Sequence, residues 1–286
     1  MSNEFLNKYI STTVLKDLTP LDDCLRTLTD ANYFNIELGS THPYEENVIE
    51  ILAKYQANYL VHNYFPTPSK DLIVNVCSCD EIIRNKSIDH IEKRIIFSKN
   101  IGSKLYTFHP GYISQPISTN KDESNWDFVY LPLINSPSQY DQAYELLIDA
   151  IKRFIKIAEE IKQPIALETS GSFTKKDHLL MQKYCEYEKL FSEVDSKYFG
   201  INLNLGHLNL ASKAFDFDRY EFIESLQEKI FAFEISHNDG VNDDHAMLKA
   251  GEWYFEIINN KLFEKIPMIY EGRNTPIVDI KTLWGI

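Results

Sequence analysis

At 286 residues the chain is long for an ordinary domain but of normal size for one (β/α)8 barrel. A composition of 44% hydrophobic and 25% charged residues excludes a disordered chain. The formal net charge of −13 disfavours sequence-independent binding to nucleic acid, which relies on Lys and Arg neutralising phosphates. Cys24, Cys77, Cys79 and Cys185 make no disulfide framework, and Cys77-Ser78-Cys79 lacks zinc-knuckle spacing, so the cysteines read as packing. The start Met1-Ser2-Asn3-Glu4-Phe5 carries no charged-then-apolar signal pattern and no apolar run approaches a membrane span. A reduced cytoplasmic setting, without a membrane partner, is the expectation.

In chain order, short apolar runs alternate with helical patterns, which implies a parallel sheet. Strands are expected at 8–14, 34–38, 59–62, 104–109, 165–168, 199–203, 230–236 and 266–271. Helices fit at 20–31, 80–100, 139–162, 177–194, 219–228 and 253–263. Thr19-Pro20 looks like an N-cap and first-turn pair. Leu147, Ile151, Phe154, Ile155 and Ala158 fall at helical spacing, a stripe that packs on the sheet. The count predicts a single closed (β/α)8 TIM barrel across 1–286. Residues 111–137 are long, polar and aromatic between prolines, and read as a lid-like loop over the site.

Polar residues of metal-ligand type begin where these strands stop. The ends read Leu60-Val61-His62-Asn63-Tyr64, Phe108-His109-Pro110, Leu167-Glu168-Thr169, Asn204-Leu205-Gly206-His207, Ser236-His237 with Asp243-Asp244-His245, and Tyr270-Glu271-Gly272-Arg273. His62, His109, His207, His237 and His245 are five of the chain's eight histidines, and His42, His90 and His178 receive no role. A lone His at a strand end is usually structural, and Glu168 alone can serve as a cap. The conjunction is what counts: imidazole and carboxylate converging from separate strands at the C-terminal rim suit Zn²⁺, Mn²⁺, Co²⁺ or Fe²⁺. Left without an ion, so many buried polar groups would be costly.

This pattern resembles the xylose-isomerase-like TIM-barrel superfamily, which includes endonuclease-IV-type abasic-site endonucleases and many sugar isomerases and epimerases. The likeness covers nearly the whole chain, including Asn75–Ser87 after the first histidine strand. The resemblance implies one to three divalent ions. A first would be held by His62, His109 and Glu168, a second by Glu168, Asn204, His237 and Glu271, and a third by His207, Asp243 and His245. Asn204 departs from the family's Asp-x-x-His, and an amide brings no charge to the second set.

Three functions follow in order. The first is a sugar or sugar-phosphate isomerase or epimerase, with Glu168 and Glu271 moving protons through an enediolate and Tyr64, Tyr112, Trp126, Trp253 and Arg273 lining the pocket. The second is a phosphodiester hydrolase on abasic DNA, with Tyr64-Phe65 as a wedge. The third is a barrel that binds metal and ligand without activity.

Overall fold

The computed structural model of the chain describes residues 7–70, 72–114, 116–121, 126–130, 137–171 and 179–284, with the backbone alone at 116–121, 126–130, 137 and 138. Each apolar run expected to be a strand is one. They are β1 (Lys8–Ser11), β2 (Asn35–Leu38), β3 (Asn58–His62), β4 (Tyr106–Phe108), β7 (Ile165–Glu168), β8 (Phe199–Asn204), β9 (Ile230–Ile235) and β10 (Met268–Tyr270). They close into a parallel barrel in the order β1-β10-β9-β8-β7-β4-β3-β2. No helix among the described residues is long and apolar enough to cross a membrane.

Residues 111–137 differ from the irregular loop expected of them. They hold an antiparallel hairpin, β5 (Pro116–Lys121) with β6 (Trp126–Tyr130). Ile117 and Thr119 supply β-branched residues on one strand and Trp126, Phe128, Val129 and Tyr130 aromatic and β-branched ones on the other, a hairpin composition that the surrounding prolines and polar residues mask.

The helices are α1 (Leu21–Asp30), α2 (Val48–Leu52), α3 (Glu81–Asn100), α4 (Pro137–Ile161), α5 (Tyr184–Glu193), α6 (Leu205–Phe215), α7 (Arg219–Leu226), α8 (Tyr254–Ile258) and α9 (Ile277–Trp284). The start of α1 is fixed differently from the expected Thr19 cap: Thr19 Oγ1 donates to the Lys16 carbonyl, and the Leu21 amide donates to Glu45 Oε1 at 2.7 Å. Asp80 caps α3 by accepting from the amides of Ile82 and Ile83. In α4 Leu147, Ile151, Phe154 and Ala158 are fully buried, each of the larger ones contributing about 1.5–3 kcal/mol of burial. Three helices escape the periodicity. α2 is a single short turn, α9 closes the chain, and α6 is buried from Leu205 to Ser212, so it has no polar stripe to reveal it.

The barrel interior is layered. Tyr9, Leu60, Leu105, Ala166, Ala232 and Ile269 cluster as an apolar floor, one residue from each of six of the eight strands or strand entries. The β8–β9 register shifts between Ile201 and Asn202, and Phe231 is the extra residue on β9. Its ring lies over Gly200, where a Cβ would meet it at 2.4 Å, so a glycine is required there. The shift sets Ala232 against Asn202 and Glu234 against Asn204, which decides what the top of the barrel contains.

Candidate metal centre

Two residues further along each strand the apolar floor turns polar: Leu60 is followed by His62, Leu105 by Thr107, Ala166 by Glu168, Ala232 by Glu234, and Ile269 by Glu271. All of these polar residues are buried, as are Glu37 on β2 and Asn202 and Asn204 on β8. The strand period therefore stacks a layer of ionisable groups directly above a layer of hydrocarbon.

One group forms at β3, β4 and β7. His62 Nε2 lies 3.2 Å from His109 Nε2 and 3.7 Å from Glu168 Oε2, and His109 Nε2 lies 3.2 Å from the same oxygen. The other nitrogen of His62 faces Thr107 Oγ1 at 2.8 Å and Glu234 Oε1 at 3.4 Å, which leaves Nε2 to the group. The three ligand atoms lie within 4.8 Å of one another. Glu168 Oε2 is buried and accepts no hydrogen bond, an orphaned lone pair of the kind a cation satisfies. Burial pushes the His109 imidazole down to about 4 against the pull of Glu168, so it is a neutral ligand. Burial raises the Glu168 carboxyl, but the imidazoles of His109, His207 and His62 outweigh it and hold the group below the usual carboxylate range.

A second group forms where β8 and β9 end. Asn204 caps α6 by accepting from the His207 amide at 3.1 Å, which puts His207 on the first turn. Its Nδ1 lies 2.7 Å from the Thr169 carbonyl, which only accepts, so Nδ1 carries the proton and Nε2 faces Asp243 Oδ2 at 3.2 Å. His245 Nε2 reaches the same oxygen at 3.1 Å. These ligand atoms also lie within 4.8 Å of one another, and Asp243 Oδ1 is buried without a partner. Backbone bonds between His237 and Ala246, 2.9 and 2.8 Å, close the loop that carries Asp243 and His245. His245 adopts a left-handed φ of 44°, a strained conformation of the kind that clusters at sites. Burial lowers the His245 imidazole, but Asp243 and Glu271 outweigh it and raise it to about 9. His207 is raised well above its ordinary value in the same way, with burial overcome by Asp243 and Glu168.

The groups touch through shared residues. Glu168 Oε1 lies 3.2 Å from His207 Nδ1, and Glu271 Oε2 lies 3.2 Å from His245 Nδ1. Asn204 Nδ2 donates to Glu168 Oε1 at 3.1 Å, Glu234 Oε2 at 3.1 Å and Glu271 Oε2 at 3.5 Å. Of the residues expected to ligate, His62, His109, Glu168, Asn204, His207, Asp243, His245 and Glu271 thus join one network. The His237 Nδ1 lies 3.3 Å from the Tyr254 hydroxyl. Glu37 and Glu234, which the strand ends alone do not single out, complete a further cluster with His62. The signal for them was the inward period of their strands. Burial, with three neighbouring carboxylates, raises Glu234 well above the normal range, and burial pushes Glu37 up to about 7 against the pull of His62.

The expected pocket residues scatter. The Tyr64 hydroxyl accepts from the Val74 amide at 2.7 Å and its ring lies near His90. Phe65 is in the core at 1% exposure, so it cannot act as the expected wedge. The backbone of Tyr112 is held by the Asn75 side chain, and Trp253 stacks on the Arg219 guanidinium 4.1 Å from the ring centroid. The Arg273 amide donates to the His245 carbonyl at 2.7 Å, next to the second group. The Trp126 side chain lies outside the described residues. His109 and Asp243 are the least buried members of the two groups, with side chains 35% and 25% exposed.

Comparison with known proteins returns the same architecture. A family model described as xylose isomerase-like TIM barrel matches residues 25–284. "Uncharacterized protein MJ1311" of Methanocaldococcus jannaschii is 27% identical over 229 residues, covering 79% of this chain and 66% of that protein, just under two thirds of its length. The crystal structure of a D-tagatose 3-epimerase-like protein superposes with a TM-score of 0.72 at 21% identity, covering 98% of this chain and 96% of the other. That of the 3-keto-D-glucoside 4-epimerase YcjR from E. coli, in its apo form, gives 0.68 at 12% identity, with 98% and 99% covered.

Proposed function

Because the chain belongs to the xylose isomerase-like TIM-barrel family, we propose that it is a divalent-metal-dependent isomerase or epimerase of a sugar or sugar phosphate. The observation that carries this reading is the pair of buried carboxylates, Glu168 and Glu271, set on either side of the Asn204 amide beside two His/His/carboxylate groups. The names of the structural neighbours, a D-tagatose 3-epimerase-like protein and a 3-keto-D-glucoside 4-epimerase, support it. The same reading treats 1–286 as one catalytic barrel with 111–137 as its lid.

In this proposal His62, His109 and Glu168 hold one ion and His207, Asp243 and His245 hold another, zinc, manganese, cobalt or iron. A bound ion supplies Lewis-acid polarisation of a substrate carbonyl. Glu271 belongs to neither three-residue group, so its carboxylate is the one free to take the proton next to that carbonyl. Burial works to raise this carboxyl, but His245 outweighs it, so Glu271 is ionised and ready to accept. Glu168, committed to the ligand group, orients rather than abstracts. The acidic surface accords with a small polar substrate in place of a polyanion.

Exchange of solvent deuterium into carbons adjacent to a carbonyl, across ketoses, aldoses and their phosphates, tests this. Exchange that disappears with a chelator and in Glu271→Gln, while Glu271→Gln retains its metal, is expected. Absence of exchange across the panel with metal-loaded protein would sink it. A second reading, hydrolysis of a phosphodiester at an abasic site, is favoured by one observation: Glu168 touches both groups, as a bridging carboxylate of a two-ion hydrolase does. Cleavage of a duplex carrying a single abasic-site analogue at low salt would decide for it.

A further inference from the structure

Three buried carboxylates, Glu168, Glu234 and Glu271, surround a single side chain, and that side chain is an amide. Asn204 Nδ2 donates to Glu168 at 3.1 Å, Glu234 at 3.1 Å and Glu271 at 3.5 Å. Its orientation is fixed by chemistry. The other end of the amide, Oδ1, accepts from the His207 amide at 3.1 Å as the cap of α6. Exchanging the two ends would point the oxygen at three acceptors and the NH2 group at a backbone N–H, losing the hydrogen bonds on both sides. The Asn204 main chain is pinned as well, its own amide donating to Thr169 Oγ1 at 3.0 Å.

The residue set that the resemblance assigns to a second ion, Glu168, Asn204, His237 and Glu271, does not fit one. The oxygen that Asn204 would offer is turned to the helix, accepting from the His207 amide, and it is the NH2 group that faces Glu168 and Glu271. His237 has its Nδ1 3.3 Å from the Tyr254 hydroxyl, so it has only Nε2 to offer. Glu234, buried at 0% exposure, has both oxygens engaged by amides, Asn202 at 2.6 Å and Asn204 at 3.1 Å.

We propose that the NH2 group of Asn204 occupies the place of a cation among Glu168, Glu234 and Glu271, so that this chain binds its ions at the two flanking groups and none between them. An aspartate at 204 would place a further carboxylate against Glu168, Glu271 and the Glu234 carboxyl in a buried layer, a crowding that a bound cation relieves. An amide presents partial positive charge to the same oxygens and needs no ion. One neutral side chain thereby does the connecting that a metal would do, and leaves Glu271 without an ion to bind.

The inference rests on the metal-binding reading given above, and zinc stoichiometry separates the two. After chelation and dialysis, the wild-type chain, Asn204→Asp and Asn204→Ala are titrated with Zn²⁺ alone, and bound metal is counted by elemental analysis. Asn204→Asp keeps an oxygen acceptor for the His207 amide, so the α6 cap survives and folding is preserved even where Asn204→Ala fails to fold. Asn204→Asp is expected to bind one equivalent more per chain than the wild type, and folded Asn204→Ala the same number as the wild type. Equal, non-zero counts in the wild type and Asn204→Asp overturn this inference alone. So does a folded Asn204→Ala that has lost an equivalent, since Asn204 would then be a ligand. No zinc bound by any variant overturns both readings.

Discussion

The two flanking groups have the same composition, two imidazoles and a carboxylate, and opposite readiness for an ion. At the first, burial drives the His109 imidazole down to about 4 and its lone pair is free at neutral pH. At the second, Asp243 sits between His207 and His245 at 3.2 and 3.1 Å and holds both protonated, His245 up to about 9. The first group therefore presents an unprotonated His109 beside an ionised Glu168. The second is an internal salt bridge that an ion must displace. The difference comes from where the carboxylate sits: Asp243 is shared symmetrically between its two imidazoles, whereas Glu168 divides its oxygens between the groups.

The most severe way to break this contrast is Glu168→Gln, because Glu168 contacts His62, His109 and His207 alike. It is expected to abolish zinc binding at the first group, weaken the second, and lower proton exchange on substrate by on the order of 10³-fold. Full activity with full metal content would refute the assignment. His109→Ala and His245→Ala sharpen the contrast by acting singly: each should remove one equivalent of zinc and leave the other, and loss of both ions from either variant would show that the groups are one site.

The pH dependence follows next in size. An ion at the second group must displace protons from His207 and His245, so its affinity rises with pH, about tenfold per unit for each proton released, and the slope falls near 9, where His245 has lost its proton. His109 has no proton to release above about 4, so the first group should show a shallower slope. Isothermal titration in buffers of different ionisation enthalpy counts the protons released. Equal proton release from His109→Ala and His245→Ala would erase the distinction. The smallest effect is expected from Thr107→Val, which removes the hydroxyl facing His62 Nδ1 and lowers zinc affinity at the first group by about tenfold, with the second unchanged.

Much of this was legible because a strand writes its faces in alternation. Leu60 before His62 and Ala166 before Glu168 announce both the barrel and the height at which its chemistry begins. Glu37 and Glu234 obey the same alternation, but a single glutamate within an apolar run looks like the solvent-facing partner of that pattern, and only closure of the barrel turns it inward. The helix α6 was hidden for the converse reason, since a helix buried on all sides carries no stripe. His237 looks, in sequence, as good a ligand as His245. Their side chains meet different partners, the Tyr254 hydroxyl for His237 and Asp243 for His245, a tertiary fact with no local signature. The direction of the Asn204 amide is equally invisible until the start of α6 is known.

The backbone bonds between His237 and Ala246 make the loop they close a small latch, and a latch has an opening equilibrium. The amides of His237 and Ala246 exchange with solvent only when the loop lifts, which also separates Asp243 and His245 from His207. An ion bound at the second group holds the closed form and none of the open one. Its affinity is therefore readable as a slowing of hydrogen exchange at these two positions, by about 1 + [L]/Kd. A spectator loop would show no such slowing. If the second group takes an ion as proposed, the backbone of this segment would report its occupancy without any turnover.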